Sequence, residues 1–511
     1  MAAKDGGKTA VSVKRVLVVS TAGNTDQVVD CLRREADELD IVLHFGRRHA
    51  DFMTASISRM EPMAARKGHL VAQGRYAAAA ADLMLAPTYH EDMLLFLDHF
   101  LRRDPLFANN PHKLETPHDY MDFFHILIGD HIAQMQRHRV EAVLFFNVPH
   151  LSYDTVIYQL ARARGLEVLI LTQMLLPGKL ASMRSIDDLG HAPLDNAAPP
   201  LPIEKSEKLD LFYMPEMRQE PGTRRLTARN LANLAVYLAK KEPSALVRPS
   251  RLAAIVRRMR AAKERFPKWR DPFARYFHTH QFAYLEHLAE FEGGDVNFDQ
   301  PFVYFPLQLQ PEMTTSALGG RFRDQVFAIE QLSGLLPDGV KIYVKENPKQ
   351  GAFMRGPLVF HRLSRIPSVE ILPSHADTHL LADRAHFVAV ITGTAGWEAI
   401  RKGKPALVFG NAWYADLPGV TRYREGLTYE EIVGAEIEHA DLERKAGALV
   451  ARFHDGIVER HYAGQVAQYD AKENARRVAR LVRDLFSGRL SPSFQRLPDH
   501  SERARAASTA K

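Results

Sequence analysis

Several features that assign proteins to a class are scarce in this sequence. Cys31 is the only cysteine, so no disulfide can form within the chain, and nothing points to an oxidising compartment. Residues 1–9 are small and polar and lack the apolar core of a secretory signal. The longest apolar runs, such as Leu166–Leu176, are too short to span a bilayer. We therefore expect a cytoplasmic protein, with peripheral attachment to the inner face of a membrane left open.

Positive and negative charges are nearly balanced over the whole chain, but one segment has a large excess of basic residues. Lys and Arg number 67 against 61 Asp and Glu, which gives a net charge of +6. Between Arg224 and Arg275 there are fifteen basic residues and only three acidic ones. Such a block binds an anionic membrane surface or glycan, or it is a solvated helical face, and both interpretations stay open. Nucleic acid is not expected as a partner, because no known binding module accompanies the block.

Apolar runs alternate with amphipathic segments in two parts of the chain. The run KRVLVVS, which begins at Lys14, is followed by a helical pattern and a second strand, and the same order recurs over Val140–Gln173. A further series of strands and helices begins at Phe302. The pattern predicts an α/β protein with two Rossmann-like domains that face a cleft, helical insertions and C-terminal closing helices.

Changes in composition mark the expected domain boundaries. A turn cluster, EGGDVNFDQP, precedes the second series of strands, and the end of the chain is polar and without periodicity. We predict a disordered N-terminus at 1–13, an N-terminal Rossmann-like acceptor domain at 14–205, a basic helical insertion at 206–298, a second Rossmann-like domain at 299–440, closing helices at 441–487 and a disordered tail at 488–511.

The stretch VITGTAGWEAIRKGKPALVFG, from Val390 to Gly410, predicts a strand, a tight turn and a helix. A helix N-terminus offers unpaired N–H groups and the positive end of a dipole, so Thr392–Gly396 is a candidate anion site. The alternative is a plain helix cap. Glu398 lies four residues after Thr394, whereas a capping box needs three, so Glu398 can face a ligand and hold a pair of hydroxyl groups.

Two other predicted strands end in polar side chains. YVKENP ends a strand with Lys345 and Glu346, and YFPLQLQPEM ends one with Gln308, Gln310 and Glu312. Lys345 can neutralise a phosphate, and Glu312 or Glu346 can orient a sugar. Charged residues at strand ends are usually only solvated. However, the three corners would share one edge of one parallel sheet, which is where ligands bind in such sheets.

The segments PLQLQPE, VKENP and TGTAGWEAIRKGKPALVFGNAWYADLPG resemble, in order and spacing, the capsule polysaccharide synthesis protein family, which includes bacterial Kdo transferases that start capsule glycans. The resemblance extends over Phe302–Gly426 and, more loosely, over Val140–Gln173. It implies a GT-B-like fold and the transfer of a sugar from a nucleotide-activated donor, CMP-linked in the Kdo transferases, to a capsular glycan or glycolipid.

The resemblance also implies which residues contact the donor. Those expected to hold its nucleotide and phosphate are Lys345, Glu346, Asn347, Pro348, Thr392, Gly393, Thr394, Ala395, Gly396 and Glu398. Those expected near the donor sugar are Gln308, Gln310 and Tyr414. Asn347 stands where the family usually has His; its amide can donate a hydrogen bond but carries no charge, which leaves room for donors other than CMP-Kdo.

A carboxylate is expected to act as base on the acceptor hydroxyl if the reaction inverts the anomeric centre. Glu312 is the candidate in the C-terminal half, and Asp154, followed by His150, in the N-terminal half. No Asp-x-Asp pair occurs, so neither a metal nor another cofactor is expected. Three alternatives stay open: a nucleotide-sugar epimerase, a polyol-phosphate polymerase of similar fold, and a catalytically silent scaffold in capsule assembly.

Overall fold

The computed structural model describes residues 13–20, 23–46, 49–53, 83–103, 116–195, 197–205, 296–347, 350, 355, 357–373 and 376–496. Between 205 and 296 it describes only 232, 235–236, 239, 243–254 and 256–257. The chain divides into two compact units. Unit 1 contains residues 1–104, 110–192 and 450–511, and unit 2 contains residues 105–109 and 193–449.

Strands and helices alternate through most of unit 1. In chain order its first elements are β1 (Lys14–Val19), α1 (Gly23–Glu35), β2 (Leu39–Gly46), β3 (Phe52–Met53), α2 (Tyr89–Arg103), α3 (Pro117–Arg137), β4 (Ala142–Phe145), α4 (Tyr153–Ala163), β5 (Glu167–Gln173), β6 (Lys179–Met183) and a 3-10 turn at Ile186–Asp188.

Unit 2 repeats the alternation. Its elements are α5 (Pro243–Val247), β7 (Phe302–Pro306), a π-helical turn (Met313–Ala317), a 3-10 turn (Gly320–Arg323), α6 (Gln325–Ser333), β8 (Lys341–Lys345), α7 (Pro357–Ser364), β9 (Val369–Leu372), α8 (Thr378–Arg384), β10 (Val388–Val390), α9 (Thr394–Arg401), β11 (Ala406–Val408), β12 (Val420–Arg422), α10 (Tyr429–Val433) and α11 (His439–Val450). The chain then returns to unit 1 with β13 (His454–Asp455), a 3-10 turn (Arg460–Gln465) and α12 (Ala471–Phe486).

The described residues of each unit form one sheet. In unit 1 the strand order is β13-β6-β5-β4-β1-β2-β3, parallel except for the antiparallel pairs β5–β6 and β6–β13. In unit 2 the order is β12-β11-β10-β7-β8-β9 and every pair is parallel. Strands that are covered on both faces have continuous apolar sequences such as FVYFP, VAV and ALV. The predicted class, α/β with two Rossmann-like domains, is confirmed.

The closing helix α12 completes the core of unit 1. Its buried side chains recur at helical spacing, among them Val478, Val482 and Leu485. They share one apolar cluster with Val28 and Leu32 of α1, against which α12 packs. The predicted closing helix is therefore an element of unit 1 and covers the first helix of the chain.

Two predicted boundaries need correction. Residues 488–496, predicted to be disordered, are bound to unit 1: Ser493 and Phe494 are buried, and the Phe494 N–H donates to the Ser182 carbonyl at 3.0 Å. The segment looks disordered in the sequence because it is mostly polar, but the burial of Phe494 attaches it to unit 1. Residues 193–205, assigned to the N-terminal domain, belong to unit 2, where the Leu201 N–H donates to the Glu443 carbonyl at 2.9 Å. Residues 1–12 and 497–511, also predicted to be disordered, lie outside the described residues.

Candidate functional site

The three polar corners predicted from the sequence meet at the carboxyl edge of the unit 2 sheet. Strand β7 lies between β8 and β10, so the residues that follow these strands are neighbours. The Thr392 N–H donates to Gln308 Oε1 at 2.9 Å, which ties the corner after β10 to the corner after β7. The Leu307 N–H donates to the Lys345 carbonyl at 2.9 Å, which ties in the corner after β8.

The turn between β10 and α9 exposes the start of a helix. Gly393 is the N-cap with φ −69° and ψ 156°, and no side chain in the described part of the chain caps this helix. The Thr392 hydroxyl donates to the Thr314 carbonyl at 2.6 Å, so it holds the loop after β7. Thr394 and Ala395 are half-buried in the first turn of α9. The groups available to an anion here are therefore backbone N–H groups and the Thr394 side chain.

Close packing explains both glycines of this turn. A Cβ on Gly393 would lie 2.9 Å from Gln308 Nε2, and one on Gly396 would lie 2.3 Å from Tyr414 Oη. The Tyr414 hydroxyl donates to the Gly393 carbonyl at 2.5 Å, and the side chain is fully buried. Burial raises the pKa of Tyr414, so its hydroxyl remains a donor. The structure thus places Tyr414 beneath the turn, where it shapes the backbone.

Lys345 is the last residue of β8 and reaches the first residue of α8. Its Nζ donates to Thr378 Oγ1 at 2.8 Å, and the residue is only 6% exposed. Tyr304 of β7 lies in the same layer and also contacts Thr378. A buried ammonium group in this place supplies positive charge at the sheet edge in a region of low dielectric, where electrostatic interactions are strong.

Glu346 forms a buried ion pair that the sequence did not predict. Arg355 Nη1 donates to Glu346 Oε1, and both side chains are 2% exposed. Arg355 Nη2 also donates to the Gln308 carbonyl at 2.5 Å. Glu346 Oε1 accepts in addition from the Asn347 N–H at 2.6 Å, while Oε2 has no partner among the residues that the structure describes. Arg355 therefore fixes the ends of β7 and β8 together. Pro348 lies outside the described residues.

The two glutamines after β7 are held by the protein itself. Gln310 donates through Nε2 to the Arg323 carbonyl at 2.7 Å and accepts at Oε1 from Gln325 at 3.1 Å. Gln308 Oε1 accepts from Thr392, as described above. The side chain of Glu312 accepts from the Met313 N–H at 3.2 Å and begins the π-helical turn. Glu312 is half-buried, and its role as a base stays a prediction.

Glu398 is the fifth residue of α9, and the exposed fraction of its side chain is 20%. Burial raises its pKa, and the nearby Lys402 and Arg401 act against that rise. Its Oε2 lies 3.9 Å from His379 Nδ1, on the adjacent helix α8. No sequence pattern connects His379 with Glu398, because 18 residues separate the two.

The predicted residues of unit 1 form a separate corner after β4. Asp154 is 2% exposed and accepts from two backbone groups, the His150 N–H at 3.1 Å and the Leu151 N–H at 2.6 Å. Both carboxylate oxygens therefore hold the loop before α4, which favours a positioning role for Asp154, and its role as a base stays a prediction. His150 donates through Nδ1 to the Val148 carbonyl at 2.6 Å and is half-buried, so Nε2 is the atom through which it would react.

Some expectations fall on regions that are described only in part. Of the basic block Arg224–Arg275, the structure describes only 232, 235–236, 239, 243–254 and 256–257, so membrane or glycan binding there stays a prediction. Within the described ranges, no group of His, Cys, Asp or Glu side chains is arranged to hold a metal ion. No helix in those ranges is both long and apolar enough to cross a membrane.

Comparison with known proteins confirms the resemblance over part of the chain. The family model described as "Capsule polysaccharide biosynthesis protein" matches residues 274–442, which include every strand of the unit 2 sheet. No curated protein matches the chain.

Solved structures with some similarity to the chain include two Kdo transferases and a nucleotide-sugar epimerase. KpsC from Thermosulfurimonas dismutans, as a beta Kdo 2,7 transferase, is 13% identical, with 72% of this chain and 91% of that chain covered and a TM-score of 0.30. Its beta Kdo 2,4 transferase is 15% identical, with 60% and 79% covered and a TM-score of 0.25. UDP-GlcNAc 2-epimerase from Neisseria meningitidis is 11% identical, with 93% and 100% covered and a TM-score of 0.21. At such TM-scores we base no assignment on them.

Proposed function

We propose that the protein is a glycosyltransferase that moves a sugar from a nucleotide-activated donor to a surface glycan or glycolipid, and that unit 2 binds the donor. The observation that carries this proposal is the convergence of Lys345, Thr392 and the uncapped start of α9 at one edge of a parallel sheet. The match of residues 274–442 to the capsule polysaccharide family supports the same class of reaction.

The chemistry follows from the charge that develops on the leaving group. When the bond between the sugar and the donor phosphate breaks, negative charge accumulates on the phosphate oxygens. Backbone N–H groups at Thr394 and Ala395 and the ammonium group of Lys345 would stabilise that charge. Glu398 would accept hydrogen bonds from ribose hydroxyls. Glu312 or His150 would take the proton of the acceptor hydroxyl.

The decisive experiment incubates the purified protein with CMP-, UDP- and GDP-sugars and with nucleotide polyols, each with and without a capsular glycan acceptor. A glycosyltransferase releases nucleotide and extends the acceptor only when both substrates are present. An epimerase returns an altered nucleotide sugar without acceptor, and a polyol-phosphate polymerase consumes only the nucleotide polyol. If no donor reacts or binds, the result would favour the remaining alternative, a catalytically silent scaffold in capsule assembly.

A pair of lysine variants on one strand tests the role of the site. Lys345→Met keeps the aliphatic stem but removes the ammonium group, and we expect a loss of transfer rate of about a hundredfold or more. Lys341→Met is the matched control, because Lys341 Nζ donates to the Pro367 carbonyl at the opposite end of β8. Equal activity of the two variants would contradict the proposal.

The proposal includes independence from metal ions, because the ammonium and N–H groups supply the positive charge that a metal provides in other enzymes. Transfer measured after prolonged treatment with EDTA should equal transfer without it. A loss that Mg²⁺ or Mn²⁺ restores would show that a metal takes part.

A further inference from the structure

The described part of the basic block Arg224–Arg275 exposes one apolar face of a helix. Residues 249–254 and 256–257 are helical, and Leu252.N–H and Arg248 carbonyl are joined by a hydrogen bond of 3.2 Å at the start of this helix. Four exposed residues recur at the spacing of a single helical face: Pro249, Leu252, Ala253 and Val256. We call these four residues the apolar face. The helix therefore presents to its surroundings the side that an ordinary surface helix buries.

A second segment of the block has the same arrangement. Residues 232, 235, 236 and 239 are helical and exposed, and they also lie at the spacing of one face; they are Ala232, Ala235, Val236 and Ala239. Val236 is 54% exposed, and Val247 at the end of α5 is 77% exposed. Single exposed apolar side chains are ordinary on a protein surface, but two exposed apolar faces close together in the sequence indicate a binding surface.

Arginine side chains border the apolar face on both sides. Because successive residues of an α-helix are rotated by about 100°, Arg248 and Arg257 lie about a quarter-turn to either side of the middle of the face. Both arginines are exposed, and residues 243–257 contain no acidic residue. An arginine can lay its aliphatic stem along apolar surface while its guanidinium stays in a polar layer. An apolar face between basic borders is typical of helices that lie in the interface of a membrane.

A bilayer with anionic lipids matches both the charge and the apolar face. An anionic glycan would pair with the arginines but would leave Leu252 and Val256 in water. A second copy of the segment would bring like charges together. The surface of an anionic membrane attracts arginine, and the acyl chains beneath the headgroups accept apolar side chains.

We propose that residues 248–254 and 256–257 are a docking surface for anionic lipid, with Leu252 and Val256 inserted at the level of the first acyl carbons and Arg248 and Arg257 among the headgroups. The surface belongs to unit 2, which also contains the candidate donor site. The inference goes beyond the proposed function and does not depend on it, because binding to lipid requires no nucleotide.

Flotation of the full-length protein with vesicles tests the contribution of charge. The vesicles are an equimolar mixture of phosphatidylglycerol and phosphatidylcholine, or phosphatidylcholine alone, and the bound fraction at several lipid concentrations gives a partition coefficient. We expect binding to the anionic vesicles, at least about tenfold weaker binding to the neutral ones, and a steep loss when salt is raised from about 0.1 M to about 1 M. Each arginine near the surface contributes about fivefold, so Arg248→Gln combined with Arg257→Gln should weaken partitioning by about twentyfold.

A second double variant tests insertion of the apolar face. Leu252→Ser combined with Val256→Ser keeps every charge and should weaken partitioning into anionic vesicles by about tenfold or more, because the two side chains no longer transfer from water into the acyl region. Both residues are exposed, so the fold should be retained. Far-UV circular dichroism and the thermal midpoint would show that each variant is folded.

Matched control variants change the same chemistry elsewhere on the protein. Leu358→Ser combined with Val433→Ser removes two exposed apolar side chains from α7 and α10, where Leu358 is 78% and Val433 is 40% exposed. Arg365→Gln combined with Arg477→Gln removes two exposed arginines. Both controls should partition within about a fewfold of wild type.

Three outcomes would overturn the inference. If wild-type protein does not float with anionic vesicles but binds an anionic polysaccharide such as dextran sulfate, the block is a glycan-binding surface. If Leu252→Ser with Val256→Ser partitions as strongly as wild type, the apolar face does not insert. If the control variants lose as much binding as the test variants, the docking surface lies elsewhere. The proposed function would stand in each case, and a failure to bind nucleotides would leave the vesicle result unchanged.

Discussion

The packing of Tyr414 under Gly396 predicts a large effect of one added methyl group. In Gly396→Ala the new Cβ would lie 2.3 Å from Tyr414 Oη and 3.1 Å from two ring carbons. Overpacking a buried site costs about 1–3 kcal/mol, and loss of the bond from Tyr414 to the Gly393 carbonyl costs about 1 kcal/mol more. We therefore expect the free energy of unfolding of unit 2 to fall by about 2–4 kcal/mol, together with weaker nucleotide binding.

A double-mutant cycle isolates this contact. Tyr414→Phe removes the hydroxyl and should cost about 1 kcal/mol by itself. In the double variant with Gly396→Ala the atom at 2.3 Å is absent, while the ring carbons at 3.1 Å remain. The two changes should therefore be less destabilising together than their sum, by about 1 kcal/mol or more. Urea unfolding of the four proteins, followed by circular dichroism, measures the coupling.

A matched control is available in the same unit. Gly334 ends α6 at a φ of −71°, and a Cβ there would meet no atom closer than 3.5 Å. Gly334→Ala should therefore change the free energy of unfolding by less than about 1 kcal/mol. If Gly396→Ala is no more destabilising than Gly334→Ala, or if the cycle is additive, then Tyr414 does not support the turn as described.

Three further predictions concern titratable side chains that are buried or half-buried. Arg355→Met leaves the carboxylate of Glu346 buried and without its cation, and should destabilise the protein by about 3–5 kcal/mol in urea unfolding. Asp154→Asn weakens the bonds that the His150 and Leu151 N–H groups donate to the carboxylate, so it should lower the thermal midpoint. The rate of transfer per folded molecule should stay within a fewfold of wild type, and a loss of a hundredfold or more would support Asp154 as a base. Burial lowers the pKa of His454 to about 4, below its ordinary value of 6.5, so the native state favours neutral imidazole; this contribution to stability is present above pH 6.5 and lost as the pH falls towards 4. His454→Gln should remove that part of the pH dependence, and an unchanged slope would contradict it.

The sequence was sufficient to predict the elements at the sheet edge and their proximity. Apolar runs before Gln308, Lys345 and Thr392 mark strands, and parallel strands in a doubly wound fold end at one edge. The structure confirms that these three corners meet. The spacing of apolar residues and the residue types found at turns are local properties, so a single sequence is enough to recognise them.

Contacts between distant segments could not be predicted in the same way. Arg355 reaches Glu346 and the Gln308 carbonyl, and His379 reaches Glu398, through positions that only tertiary packing determines. Phe494 lies in a polar segment with no periodicity, yet it is fully buried in unit 1. These residues have no local pattern that distinguishes them from solvated side chains.

Asp154 shows how one sequence pattern can support two different roles. An acidic residue in the first turn of a helix fits both a catalytic base near a sheet edge and a cap for backbone N–H groups. The two roles give the same sequence pattern. The bonds from the His150 and Leu151 N–H groups, together with the burial of the carboxylate, favour the second role.

The central claim is that N–H groups at the start of α9 bind the donor phosphate, and Thr394→Pro compared with Thr394→Val tests it most directly. Both variants lack the Thr394 hydroxyl, but only proline also lacks the N–H, and Gly393, at φ −69° and ψ 156°, already has the extended backbone that precedes proline. Calorimetry with the nucleotide that binds wild-type protein should show affinity at least about tenfold weaker in Thr394→Pro than in Thr394→Val, with nucleoside affinity and thermal midpoint retained. Equal nucleotide affinity in the two variants would contradict the claim.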